Sequence, residues 1–146
     1  GKPWLTQLYT RLICDEFYGT TPEHGYGYGQ DEDQGQLGAW YVMAAVGLFD
    51  VQGGTNITPS YQIGSPKFRK ITIKLDPRYY SGKTLVIETE NNAPDHYYVQ
   101  SATLNGQPLE DCWFYRREII NGGHLKLQMD STPNTRWGIA SMPHSK

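Results

Sequence analysis

The sequence is poor in the residues that build covalent or metal scaffolds. Among 146 residues there are two cysteines and four histidines. Cys14 and Cys112 lie far apart and match no metal-ligand spacing, which excludes a disulfide framework and a cysteine-based zinc site. Cys14 falls inside a helical pattern and reads as a small buried hydrophobe. His96, His124 and His144 have no partners at ligand spacing. Charge of either sign in excess is also missing: 13 Lys and Arg face 15 Asp and Glu, a net charge of -2. That balance gives no electrostatic case for nucleic acid or an anionic membrane. No apolar run is long enough to cross a bilayer, and no signal peptide or low-complexity tail is visible. The chain lacks an initiator Met, so it reads as a piece of a longer protein.

What is present is aromatic: 11 Tyr, 4 Trp and 4 Phe. Such a content suits sugar stacking, but it suits a packed core nearly as well. The pattern changes near residue 58. Before it, Trp4, Leu5, Leu8, Tyr9, Leu12, Ile13 and Phe17 recur at the spacing of one helix face, with Pro3 suited to the first turn and a stop expected near Gly19. A glycine-rich loop, Gly25-Tyr26-Gly27-Tyr28-Gly29, leads to a second helix over about Gln34 to Leu48. There Leu37, Trp40, Tyr41, Ala44 and Leu48 line one side while Val42, Met43 and Val46 make the other apolar too. A helix apolar all round is expected to be buried on all sides, which one neighbouring helix cannot achieve.

Beyond residue 58 the period becomes two. Ile71, Ile73 and Leu75 alternate with polar neighbours, as do Leu85 and Ile87, and Leu125, Leu127 and Met129. Tyr97 to Leu104 is a further strand, Asn105-Gly106 a tight-turn signal, and Asn121-Gly122-Gly123 a second turn. The expectation is four to six antiparallel strands over residues 66–137, hence a small sandwich region.

The feature richest in chemistry is Gly29-Gln30-Asp31-Glu32-Asp33-Gln34-Gly35-Gln36, three consecutive carboxylates between glycines ahead of an apolar helix. Asp33 and Gln36 fit a capping box, which leaves Asp31 and Glu32 unexplained. Calcium binding of the EF-hand kind is excluded, because Gly35 and Gln36 stand where an oxygen ligand and the glycine are needed. A catalytic reading remains. The helix dipole keeps a carboxylate at its N-terminus ionised and able to accept a proton from water.

The run Gly-x-Asp-Glu-Asp-Gln-Gly-Gln-x-x-Ala-Trp-Tyr-Val leading into Gly47-Leu48-Phe49 resembles glycoside hydrolase family 92, the calcium-dependent exo-acting alpha-mannosidases. The likeness continues through Tyr61-x-Ile63-Gly64-Ser65-Pro66-x-Phe68-x-Lys70, Ser101-Ala102-Thr103-Leu104-Asn105-Gly106, Asn121-Gly122-Gly123-x-Leu125, Pro133-Asn134 and Trp137-Gly138. Gly1-Lys2-Pro3-Trp4 is similar to a family helix just upstream of the acidic run. Gln30, and Leu37-Gly38 in place of a more usual Met-Ser pair, depart from the pattern and leave the carboxylates intact.

The resemblance implies an α+β chain. Residues 1–57 would be the last helices of a catalytic (alpha/alpha)6 barrel, and residues 58–146 a small antiparallel beta-sandwich region. An upstream beta-sandwich and the rest of the barrel would belong to the same protein. The family inverts the anomeric centre, which needs a general acid and a base about 6.5–9.5 Å apart. By motif, Asp33 and Asp31 are the base candidates, with Asp33 preferred. Glu32, Gln34 and Gln36 are placed in the sugar pocket, although a cap or a buried hydrogen bond explains the glutamines equally well. The family's acid lies upstream of this chain, so the chain alone is expected to be inactive. The resemblance further implies calcium as cofactor with unassigned ligands, mannose-containing glycans (alpha-1,2-linked) as substrate, and a secreted, periplasmic or cell-surface location in a bacterium.

The competing reading is an accessory carbohydrate-binding or purely structural beta-sandwich module. An exposed row drawn from Tyr79-Tyr80, Tyr97-Tyr98 and Trp113-Phe114-Tyr115 would favour binding, though adjacent strand residues face opposite ways. Smaller signals are His24, ahead of the acidic run, and the glycosylation-type triplet Asn56-Ile57-Thr58, a match common by chance.

Overall fold

A computed structural model describes residues 1–24 and 35–142 of the chain. Helix α1 covers Pro3–Glu16 and helix α2 Gln36–Val46. Eight strands follow: β1 (Leu48–Phe49), β2 (Ser60–Ile63), β3 (Lys70–Lys74), β4 (Thr84–Glu90), β5 (Tyr98–Leu104), β6 (Gln107–Leu109), β7 (Trp113–Tyr115) and β8 (Gly123–Asp130). They form a three-stranded sheet, β1-β2-β7, and a five-stranded sheet, β3-β4-β8-β5-β6. The first sheet draws β1 from before residue 58 and its other two strands from after it.

Alternation places the core as the sequence leads one to expect. Leu85 and Ile87 on β4, and Leu125, Leu127 and Met129 on β8, all point inward and are buried. They share one apolar cluster with Leu48, Ile63 and Phe114 of the smaller sheet. Each such side chain contributes about 1.5–3 kcal/mol when fully buried. On β5 the alternation breaks: Val99 and Ala102 are both buried. A bulge between Val99 and Ser101 inserts one residue and rephases the strand, so that Leu104 also faces the core. Asn105 (φ 53°) and Gly106 (φ 80°) then turn directly into β6, the tight hairpin that an Asn-Gly pair favours.

One expectation fails. The larger sheet is not wholly antiparallel, because β4 and β8 run parallel from Leu85 opposite Gly123 to Glu90 opposite Gln128. Parallel neighbours need a long crossover, and residues 91–122, carrying β5, β6 and β7, supply it. Periodicity reports which face a residue takes but not the direction in which its strand runs.

The helices also depart from their patterns. The buried face of α1 is Pro3, Gln7, Arg11 and Cys14. Its apolar stripe is only partly covered, and Tyr9 and Phe17 are about half exposed at 56% and 49%. Two polar side chains take the buried face because they reach main-chain groups of the β region. Gln7 Oε1 accepts from the Val99 amide (3.1 Å) and Arg11 donates to the Pro66 carbonyl (2.7 Å). Nor is α2 enclosed: Ala44 and Ala45 are buried, while Val42 is 58% exposed. The helix ends at Gly47 (φ 81°), whose amide reaches the carbonyls of Met43 and Ala44. A Cβ at Gly47 would also lie 2.4 Å from the Pro66 ring, so both backbone angle and space require glycine there.

Candidate functional site

The site question centres on the opening of α2. Its N-cap is Gly35 in the left-handed region (φ 70°), and Gln36 is the first helical residue. Gln36 therefore cannot be the third helical position that a capping box with Asp33 requires. Its side chain is exposed. Asp31, Glu32, Asp33 and Gln34 lie outside the described residues, and so does His144.

The described surroundings of that opening turn are aromatic and well tied. Tyr18 donates its hydroxyl to the Leu37 carbonyl at 3.1 Å. Its ring stacks on Trp40 (5.5 Å between centroids) and tilts against Tyr41 (5.1 Å). The Lys67 ammonium sits 5.8 Å from the centre of the Tyr41 ring and pairs with Asp15 on α1. Burial pulls the Lys67 ammonium down, but the hydrogen bond and charge of Asp15 outweigh it and leave the pKa raised. The Lys67 amide also donates to the Ala45 carbonyl (3.0 Å), so segment 64–67 straps both helices to the sheets.

The strap explains one residue that the apolar pattern does not single out. Arg11, 4% exposed, donates to Pro66 O and to Ser65 Oγ (3.5 Å), and its guanidinium lies over Tyr97 at 5.5 Å. Its Nε is buried with no hydrogen-bond partner, 3.8 Å from Asp15. The signal for this face was available as spacing, since Pro3, Gln7, Arg11 and Cys14 fall on one side of a helix. Tyr18 has no comparable signal, because it lies beyond the helix end.

The remaining candidates resolve into local roles. His24 is half-buried, with Nδ1 3.0 Å from Thr21 Oγ1. His124 bonds Glu88 across β4 and β8 at 3.0 Å, and His96 bonds the Asn91 carbonyl. Both cysteines are free thiols, and burial raises the pKa of each. Asn56 bonds Gln52 within its own loop. Among the described residues no three His, Cys, Asp or Glu side chains gather as a metal cage.

The aromatic row expected of a sugar-binding face is not formed by the strands named for it. Trp113 and Phe114 are both buried, although adjacent. Trp113 donates to the Ser141 carbonyl and packs edge-on against Tyr115, over which Arg117 lies at 4.2 Å. Tyr80 accepts from Arg116, and of these pairs Tyr79 alone is strongly exposed. A cavity of about 220 Å³ between the helices and the smaller sheet is lined by Pro3, Thr6, Trp40, Leu48, Ile63 and Cys112 among others, mostly apolar groups. It offers packing surface rather than a set of converging polar groups.

The sequence model described as the glycosyl hydrolase family 92 catalytic domain matches residues 1–131. The chain belongs to glycoside hydrolase family 92. A family 92 alpha-mannosidase from Bacteroides thetaiotaomicron superposes with a TM-score of 0.80 at 30% identity, over 94% of this chain and 17% of that one. A family 92 inverting mannosidase from the same organism is 40% identical, with a TM-score of 0.79 and the same coverage. A protein of Arthroderma benhamiae described as an uncharacterized secreted glycosidase is 32% identical over 141 residues. This family 92 chain spans about a sixth of the length of these relatives, 17% in each case.

Proposed function

We propose that the chain is the C-terminal portion of an inverting exo-alpha-mannosidase that removes terminal alpha-linked mannose from glycans. The observation that carries this is the joint likeness to an inverting mannosidase: 40% identity with a TM-score of 0.79 across nearly all of the chain. The open apolar faces of α1 and α2 support the same reading, since Val42, Tyr9 and Phe17 would pack against further helices of a barrel. Residues 1–57 then supply barrel helices and residues 58–146 the closing β region.

In this proposal Asp33 is the general base that takes a proton from the attacking water. Asp31 orients that water or the base itself. Glu32, Gln34 and Gln36 belong to the pocket wall; the exposed side chain of Gln36 is free to face a substrate. The acid that protonates the leaving oxygen comes from outside this chain, as inversion demands a second carboxyl group about 6.5–9.5 Å away across the sugar. Calcium belongs to the same proposal for the complete enzyme, with donors beyond the described residues. A secreted, periplasmic or cell-surface location is supported by the secreted relative.

Mannose release from an alpha-1,2-linked mannobiose, followed by proton NMR, tests the reading. The full-length protein should release mannose first as the beta anomer, and the 146-residue chain should release none. Asp33→Asn in the full-length protein should lower kcat about a thousandfold, the scale of a lost general base. Retention of the alpha anomer would refute inversion, and full activity of the isolated chain would refute the missing acid. The accessory-module reading would gain if this chain alone bound mannan through Tyr79 while the full-length protein hydrolysed nothing.

A further inference from the structure

The mannosidase reading leaves one feature of the β region without a role. At the β6 edge of the larger sheet lies a cavity of about 360 Å³, within the range of about 300–1,000 Å³ common for small-molecule sites. Its walls come from β5, from β6 with Glu110, and from segment 134–137, and none of the described lining residues belongs to α1 or α2. Bonds to main-chain groups fix these walls. Asn134 Nδ2 donates to the Gln100 carbonyl (2.9 Å), and its Oδ1 accepts from the Arg136 and Trp137 amides. Trp137 Nε1 donates to the Leu109 carbonyl (2.9 Å), and the Gly138 amide to the Glu110 carbonyl (3.1 Å). The returning segment is thereby clamped to the β5 bulge at one end and to the end of β6 at the other.

Four lining residues, Ser101, Thr103, Glu110 and Arg136, have side chains that make no hydrogen bond or ion pair among the described residues. They combine two hydroxyls, which donate and accept, with a carboxylate that only accepts and a guanidinium that only donates. Neighbouring hydroxyls of a sugar each donate and accept, so a sugar ring matches this mixture. The opposite charges of Glu110 and Arg136 leave the set without net charge, which gives a phosphate or a nucleic acid no advantage. Pro108, exposed on the wall, offers an apolar surface to the C–H face of a ring. Trp137, 6% exposed, is a support and not a stacking platform. We propose that this cavity is a second, non-catalytic sugar site, holding one residue of a glycan whose terminal mannose is cleaved elsewhere in the protein. The choice of a mannose glycan as occupant rests on the mannosidase reading, while the polar cavity stands without it.

The experiment uses the full-length protein and measures its retardation by soluble alpha-mannan in native gels. Wild type is compared with the double variant Glu110→Ala, Arg136→Ala and with Ser101→Lys, which fills the cavity from an exposed position. Each variant should bind mannan about tenfold more weakly, the scale of one lost hydrogen bond to a charged group. Because the catalytic site is untouched, kcat and KM on an alpha-1,2-mannobiose should stay within about twofold of wild type. Melting temperatures should stay within about 2 °C. Mannan binding unchanged in both variants would overturn the second site. So would a loss of binding that follows a parallel fall in melting temperature or in kcat on the disaccharide. If wild type releases no mannose from either substrate while the variants still lose mannan binding, the mannosidase reading falls and the sugar site stands.

Discussion

The five-stranded sheet and the helical pair solve burial in opposite ways. In the sheet, every inward residue that alternation marks on β4 and β8 is buried, and the core closes on residues of the chain itself. In the helices Tyr9, Phe17 and Val42 are left open, while Gln7 and Arg11 share with Pro3 and Cys14 the face of α1 against the sheets. A strand buries its side chains against a neighbouring layer supplied by the same chain. A helix with two apolar faces needs neighbours on both, and α2 sets Met43 and Val46 against the core while Val42 stays open. The difference teaches that the β region closes a core of its own, while α1 is tied to it through Gln7 and Arg11 and α2 rests on it by one apolar face.

The largest effect should come from the closed side. Leu127→Ala should lower unfolding free energy by about 2–5 kcal/mol, read from urea denaturation, since a fully buried leucine leaves a cavity. A loss under about 1 kcal/mol would mean the core is loose and the contrast illusory. Gly47→Ala should cost about 2 kcal/mol or more, because φ of 81° and the Pro66 ring both oppose a Cβ. An unchanged denaturation midpoint would break the picture of the strap gripping α2.

Arg11→Met comes next, at about 1 kcal/mol. The Pro66 carbonyl keeps a second donor, Asn92 Nδ2 at 3.2 Å, so it is not left bare. A stabilised Arg11→Met would show that the buried guanidinium, with its unpartnered Nε, is a net burden of the tie. The Lys67–Asp15 pair is smaller still, under about 1 kcal/mol, since both groups are partly solvated. Its pH dependence has a definite sign. The folded pKa of Lys67 is raised above the ordinary 10.5, so its contribution is whole below that pH and fades as pH rises through the folded value. Denaturation at pH 9 and pH 11, with Lys67→Met as control, should show the wild type losing its advantage only at the higher pH. Last, Val42→Ser on the open face should change stability by less than about 0.5 kcal/mol. A larger loss would show that α2 packs more tightly than its exposure indicates.

Much of the fold could be read from residue order. Asn105-Gly106 specified its hairpin because both residues tolerate positive φ, and Leu125, Leu127 and Met129 specified an inward face by period alone. Strands β1 and β2 were not legible, being short and without sustained alternation. The bulge at Gln100 was invisible for the same reason, since one extra residue breaks the period on which the reading depends. At the candidate site, the acidic run was legible as chemistry, and the family followed from its motifs. The grip on the adjacent helix was not, because Tyr18, Arg11 and Lys67 meet their partners across 19 to 55 positions of chain.

The sequence by itself determined the α-then-β order, the inward faces of the central strands, the tight turns and the acidic run with its family, all properties set by neighbours within a few residues. Only the tertiary structure decided that β4 and β8 run parallel and that Gln7 and Arg11 share the buried face of α1. It also decided that the opening of α2 is held by a tyrosine from the end of α1. These depend on which distant main-chain groups need partners once the sheets have closed, and no local pattern encodes that.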